Sequence, residues 1–404
     1  MKNKFLLLLI LGVTFFVSCS DDDDKAWKNI PQDEIEIQKV TFEVNGEQAT
    51  TGTLQMAVKN GSEAVLTLKN VIPGYATIPV NVKLEEQADD SFVFSGEEGL
   101  TTPPAMLIVR SDAKPVILNV KVEGKISVEG KVSATATTKL SETAQAGLTG
   151  SWNLSATSSG ESTPLFFVWS AIDLEKPNFE NAAALVNLFG SMILFNVLNQ
   201  VTFHEDGNIT AKYWENFSME NMFANQDKGQ LIASHDDWSD SPKNLAFWYA
   251  KNSMIYIVPS INAIAQQVNG DNEDVDISNS EDIVTLLAKL KEYNIDVDAL
   301  LPIVMQWITE GIPVKYVKTG DALKIYIDKE MAAPFITPLL PALDKLQEDM
   351  EKIIEAGEDE NTIEMIQLVL GVLQIEKLTD IKTIWEENTI EMIQLVLGVL
   401  QIEK

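Results

Sequence analysis

Cysteine is almost missing from this chain of 404 residues, which holds one, Cys19. A single thiol builds no disulfide within the chain and no multi-cysteine metal site. Histidine is nearly as scarce, with only His204 and His235. A serine triad would have to use one of these two, and no Gly-x-Ser-x-Gly elbow accompanies them. No His-Glu-x-x-His pair, Walker sequence or dinucleotide fingerprint is present. Basic residues are also short: 30 Lys and Arg stand against 60 Asp and Glu, for a net charge of −30 and a pI near 4.3. Nucleic acid and anionic lipid headgroups would both be repelled. So many acids make carboxylate pairs inevitable, so no pair singles itself out for glycoside hydrolysis. Past Val17 there is no second apolar run long and clean enough to span a bilayer. The expectation is a protein that is not an enzyme, uses no cofactor, binds no nucleic acid and is stabilised by packing alone.

What is present begins at the N-terminus. Lys2 and Lys4 precede the apolar run Phe5 to Val17, the layout of a secretory signal. The run ends in Phe16-Val17-Ser18-Cys19, which resembles a bacterial lipobox, although Phe16 replaces the usual aliphatic residue. That resemblance implies a diacylglycerol on the Cys19 thiol. Asp21 to Asp24 follow at once and are similar to the surface-export signal of Bacteroidota outer-membrane lipoproteins. Residues 1–18 then read as signal peptide and 19–33 as a lipidated polar tether. Outer-membrane lipid is the partner reached through the Cys19 anchor, with the protein facing the cell exterior.

Residues 34–140 repeat with period two. Val40, Phe42 and Val44, then Leu54, Met56 and Val58, then Ile78, Val80, Val82 and Leu84 alternate with polar side chains. Phe92 and Phe94, and Val116 to Val122, continue the pattern. Asn45-Gly46 and Asn60-Gly61 mark hairpin turns. The reading is an all-β domain of about eight strands, an antiparallel meander closed as a barrel or stacked as a sandwich. Residues 141–147 are small and polar, a linker.

Residues 148–386 mix periods. A helical pattern runs from Asn181 to Gln200. His204 to Asn208 is a turn between two strands. Aromatic strands follow at Phe247 to Tyr249 and Ile255 to Val258. Ser278 and Glu281 form a capping box for a helix to Tyr293. A further helix starts at Asp298, Val314 to Ile327 is a hairpin, and one helix covers Phe335 to Ala356. The fold class expected for the whole is mainly β with inserted helices, α+β.

Leu148-Thr149-Gly150-Ser151-Trp152 resembles the first strand of calycin barrels, where the tryptophan plugs the closed end. With the lipobox, the all-β first domain and the stretch from Ser241 to Pro259, the chain is similar to a family of Bacteroidota surface lipoproteins with calycin-like β-barrel domains. The resemblance implies location and fold more than activity. A barrel of this kind encloses one small apolar ligand. The candidate liners are Trp169, Phe203, Tyr213, Phe247, Tyr249 and Tyr256, each of which also suits a core. The alternative is a glycan-capture or adhesion module, with Trp27, Trp214 and Trp238 as exposed stacking platforms. Two weak metal patterns, His235 with Asp236 and Asp237, and the acidic run from Gly270 to Asp282, fit solvated loops better than ion sites. Oligomeric state is not encoded in any of these features.

The chain closes on a duplication. Residues 360–377 and 387–404 are identical over 18 positions. Glu364, Gln367, Gly371 and Gln374 fall at helical spacing and leave a wide apolar face. The second copy, 387–404, reads as a tail, helix or strand, with no assured packing site.

Overall fold

The computed structural model describes residues 25–101, 116–154, 165–170, 190–218, 221, 236–263, 283–284, 287–356, 377, 379–380, 382 and 389–401. Several expectations lie outside these residues: the Cys19 anchor, residues 181–189 of the expected helix, the Ser278–Glu281 capping box, the acidic run, His235 and the first copy of the repeat.

The fold is mainly β, in two large sheets. The first holds β1 (Ile35–Glu36), β2 (Thr41–Val44), β3 (Glu47–Gln48), β4 (Thr53–Asn60), β5 (Glu63–Ile72), β6 (Tyr75–Glu86), β7 (Ser91–Leu100), β8 (Leu118–Ser127) and β9 (Val132–Leu140). Their order in the sheet is β1-β4-β5-β6-β7-β8-β9-β2-β3. Alternation creates it directly: β9 buries every second residue from Val132 to Leu140. Asn45 and Gly46 both take positive φ, 54° and 84°, as a two-residue hairpin between right-twisted strands requires. At the next turn the carboxamide of Asn60 accepts from the amide of Ser62 at 2.9 Å, so the chain reverses without a left-handed residue.

Two details differ from the expected meander. β2 pairs with β9 in parallel, Thr41 opposite Ser133 and Val44 opposite Ala136. Alternation assigns a face to each strand but not a neighbour, so this pairing of the first strands with the last had no local signature. Val116 is exposed and precedes the strand, which starts at Leu118.

The second sheet contains β10 (Gly150–Leu154), β11 (Leu165–Ser170), β12 (Leu198–Phe203), β13 (Ile209–Trp214), β14 (Trp238–Asp240), β15 (Ala246–Lys251), β16 (Met254–Pro259), β17 (Ile312–Thr319), β18 (Ala322–Asp328) and β19 (Thr389–Gln401). Its order is β14-β13-β12-β10-β19-β18-β17-β16-β15, with β11 beside part of β19. The sheet curls until β15 meets the turn before β13: Asn208 bridges Phe247, and the Trp248 amide donates to the Gly207 carbonyl at 2.8 Å.

The helices correct three boundaries. Strand β12 begins at Leu198, so the expected helix to Gln200 stops short of it. The helix Val297–Glu310 starts one residue earlier than read, because the Asp296 side chain caps it by accepting from the Ala299 amide at 3.0 Å. The single helix expected over Phe335 to Ala356 is two, Lys329–Leu339 and Ala342–Ala356. Pro341 separates them, since it has no amide to continue the ladder. Residues 389–401, at helical spacing in the sequence, are strand β19 at the centre of the second sheet. A long apolar run suits either period, and strands on both sides decide it.

One core joins the two sheets. Phe42, Phe92, Phe94, Val120 and Val122 belong to the same buried cluster as Trp152, Phe203, Trp248, Ile255 and Leu323.

Candidate functional site

A network of side-chain and backbone hydrogen bonds lies at the junction of the two sheets. Its centre is the turn His204 to Asn208. Gly207 has φ of 89°, and a Cβ there would lie 3.2 Å from Phe247 and 3.5 Å from Leu118 of the first sheet. The tip of the turn thus fits against both sheets only as glycine. Asp206 organises the turn, its Oδ1 accepting from the Asn208 amide at 2.9 Å and from Asn208 Nδ2 at 3.1 Å. Asn208 is fully buried, and its Oδ1 accepts from the Asn244 amide at 2.6 Å.

From there the network crosses to the first sheet. Asn244 Nδ2 donates to the Val44 carbonyl at 2.8 Å. The Leu140 amide donates to the Glu205 carbonyl at 2.8 Å. Thr138 Oγ1 donates to the Asp206 carbonyl, while the Thr138 amide donates to Asn45 Oδ1 at 2.9 Å. Lys243 closes the outside, 3.2 Å from Asp206 Oδ2. Asn244 Oδ1 is buried with no hydrogen-bond partner among the described residues.

His204 sits in the same turn with a structural part. Its Nε2 faces Thr210 Oγ1 at 2.7 Å, and its carbonyl accepts from the Trp248 indole at 3.1 Å. Burial holds its imidazole below the ordinary value; Asp206 opposes that shift and Lys243 adds to it. Among the described residues no three His, Cys, Asp or Glu side chains gather as a metal site.

Beside this network a cleft of about 330 Å³ opens between the sheets. Val44, Ala49 and Val71 from the first sheet face Leu245 and Ala263 from the second, with Gln48, Thr50, Lys243 and Asn244 adding polar groups. Where aromatic side chains line the junction instead, between Tyr75, Leu118, Phe247, Trp248 and Tyr249, the free space is about 10 Å³. That is room for one water at most.

The six candidate liners separate accordingly. Phe203, Phe247 and Tyr249 are 2%, 4% and 4% exposed and pack as core. Phe203 meets Trp248 edge to face with ring centres 4.9 Å apart. Tyr249 stacks on Tyr256, rings 4.9 Å apart and 5° from parallel, and donates its hydroxyl proton to the Glu310 carbonyl. Tyr213 is half-buried on β13 beside Ser239. Trp169 is on β11 opposite Ile390; its side chain is outside the described residues.

The expected stacking platforms are not exposed together. Trp214 is 3% exposed, packed with Met192, Phe217 and Trp238, and its indole donates to Asp237 at 3.0 Å. Trp27 lies half-buried over Gly61. Trp152 is fully buried, donates to the Leu148 carbonyl at 2.9 Å and carries the Lys318 ammonium 5.6 Å over its ring.

Sequence reading missed the residues that build the cleft and its wall. Asn45, Asp206 and Gly207 were read as turn residues, and they are, while Asn244 was not singled out; that two turns from different sheets meet needs the tertiary structure. The only local signal was their density of left-handed positions: Asn45, Gly46, Gly207 and Asn244 all have positive φ. Comparison with protein-family models, with curated proteins and with solved structures finds no match to this chain.

Proposed function

We propose that the chain is a lipid-anchored surface protein of the bacterial outer membrane that captures a small ligand and performs no chemistry on it. The ligand is a small, mainly apolar molecule with one polar end, and its seat is the cleft between the sheets. The single observation that carries this reading is the cleft of about 330 Å³, apolar at Val44, Ala49, Val71, Pro242, Leu245 and Ala263 and polar at Glu47, Gln48, Thr50, Lys243 and Asn244. Small-molecule sites have this composition, from about 300 Å³ upward. The location rests on the apolar run, Cys19 and the acids that follow it.

Membership of the Bacteroidota surface-lipoprotein family with calycin-like barrels is part of the proposal. In its support, the second sheet opens with Gly150-Ser151-Trp152, buries that tryptophan, and curls until β15 reaches the turn before β13. The aromatic side chains there fill space with one another, which is why the seat is assigned to the cleft rather than to the aromatic core.

Native mass spectrometry of the protein released from membranes in mild detergent tests the reading. A small bound mass, removed by solvent extraction and lost in Ala49→Trp, is the expected result, because the indole would occupy the cleft. A bare mass throughout overturns ligand capture. An adduct retained in Ala49→Trp overturns the cleft as its seat.

A further inference from the structure

The strand at the centre of the second sheet has a twin elsewhere in the chain. β19 pairs with β10 (Ser151 opposite Gln401, Leu154 opposite Leu397), with β18 (Leu323 opposite Leu397, Asp328 opposite Met392) and with β11. Its backbone is bulged at two places, between Trp152 and Asn153 and between Val168 and Trp169 of its neighbours. Residues 362–374 reproduce 389–401 at every position. Every residue that meets β10, β11 and β18, and both residues at the bulges, therefore has an identical counterpart 27 positions earlier.

We propose that the slot between β10 and β18 is a strand-binding site for residues 362–374 as well as for 389–401, so that one seat in the sheet has two interchangeable occupants. The two occupancies offer the same side chains to the same neighbours in the same register. Strand pairing cancels between them, and the connection to the rest of the chain differs. With β19 seated, 32 residues separate Ala356 from Thr389; with the first copy seated, five separate it from Thr362. Loop-closure entropy favours the shorter connection by roughly tenfold. Its stiffness works the other way, as does the ion pair of Lys382 with Asp344, which ties the longer connection to the helix Ala342–Ala356. The opposing contributions are small beside the cost of an empty slot, which would leave the facing edges of β10 and β18 unpaired.

Cysteine pairs read the occupancy, since Cys19 is the only thiol to remove. Ile325 lies opposite Leu395, and the equivalent residue of the first copy is Leu368. Facing residues on antiparallel strands have Cα atoms about 4.5–5.5 Å apart, within disulfide range. In the full chain carrying Cys19→Ser, Ile325→Cys with Leu395→Cys reports β19 in the slot. Ile325→Cys with Leu368→Cys reports the first copy there. The expected result is a monomeric disulfide from both pairs, the second well above the background of Ile325→Cys with Glu97→Cys, a partner on the first sheet. A second pair no better than that background overturns the proposal. A disulfide found only between molecules also overturns it, since the seat would then take a strand from another copy of the chain.

Proline gives an independent reading. Leu395→Pro removes an amide from the central strand. With an interchangeable occupant, Leu395→Pro and Leu368→Pro each leave the unfolding midpoint nearly unchanged, and the double variant loses the second sheet. If Leu395→Pro alone does what the double does, the slot has one occupant.

Discussion

The two sheets are of similar strand number and are built on different principles. In the first, β4 to β9 follow one another in sequence and in space, each joined to the next in antiparallel fashion. Strands β5 to β8 run for 10 to 12 residues, and buried residues alternate with more exposed ones along most of their length. In the second, strands are mostly 5 to 8 residues long, and the central one arrives from residues 389–401 to pair with residues 150–154 near the opposite end of the domain. Local pairing costs little loop entropy and is written in the alternation itself; distant pairing must be rewarded by the whole assembly. The first sheet is accordingly expected to act as the frame, with the second depending on it through the junction.

Removing frame packing should have the largest effect. Phe94 is 1% exposed at the centre of the first sheet, and Phe94→Ala is expected to cost about 3–5 kcal/mol. Because one core spans both sheets, tryptophan fluorescence from the second sheet should shift with far-UV circular dichroism in one urea transition. Two separated transitions would break the idea that the second sheet leans on the first.

The junction comes next. Asn208→Ala removes the side chain that joins Asp206 to Asn244, and an expected loss of about 1–3 kcal/mol follows from leaving buried groups unpaired. Hydrogen exchange should quicken at residues 204–210 and 244–249 before it does in β5 to β8. Uniform quickening would show that the junction is not a separate element.

A pH effect of smaller size is expected at the same turn. The folded state holds His204 below its ordinary value, so the unfolded chain binds more protons between the two values. Stability is then present at neutral pH and falls as pH drops below about 6.5, until the folded group also protonates. The melting temperature should decline from pH 7.5 to 5.5, and His204→Gln should flatten that slope. An unchanged slope would remove His204 from the account.

The least effect belongs to the surface of the frame. Lys125 and Ser91 hold the Asp89 carboxyl down to about 2. The pair is exposed, so Lys125→Ala should leave the melting temperature unchanged within error. Only the Asp89 titration, followed by NMR, should move upward towards ordinary carboxylate values. A clear loss of stability would mean that hairpin ion pairs matter to the frame.

How far each sheet was legible follows the same division. Phe42, Leu54, Ile78, Phe92 and Val120 were readable as inward-facing from alternation, and all are buried. The parallel pairing of β2 with β9 was not readable, because a strand's face says nothing of its partner. In the second sheet the hairpin turn at His204 to Asn208 was visible, but its role in joining the sheets was not. Trp214 stood among polar residues and is nonetheless buried, since Asp237 satisfies its indole and Met192 covers its ring. Neighbours in sequence described its surroundings poorly because its neighbours in space come from three separate segments.

By itself the sequence determined the mainly β class, several of the turn positions, the inward faces of the first sheet and the absence of a disulfide within the chain. Each of these depends on a residue and its near neighbours: period two, the left-handed conformations open to Asn and Gly, the count of thiols. Only the tertiary structure decided that Asn244 reaches Val44, that a cleft lies between Ala49 and Leu245, and that an apolar segment with helical spacing becomes the central strand β19. These are pairings across long stretches of chain. Many partners would satisfy the same local chemistry, and the choice among them is made by the collective burial and hydrogen bonding of the assembled sheets.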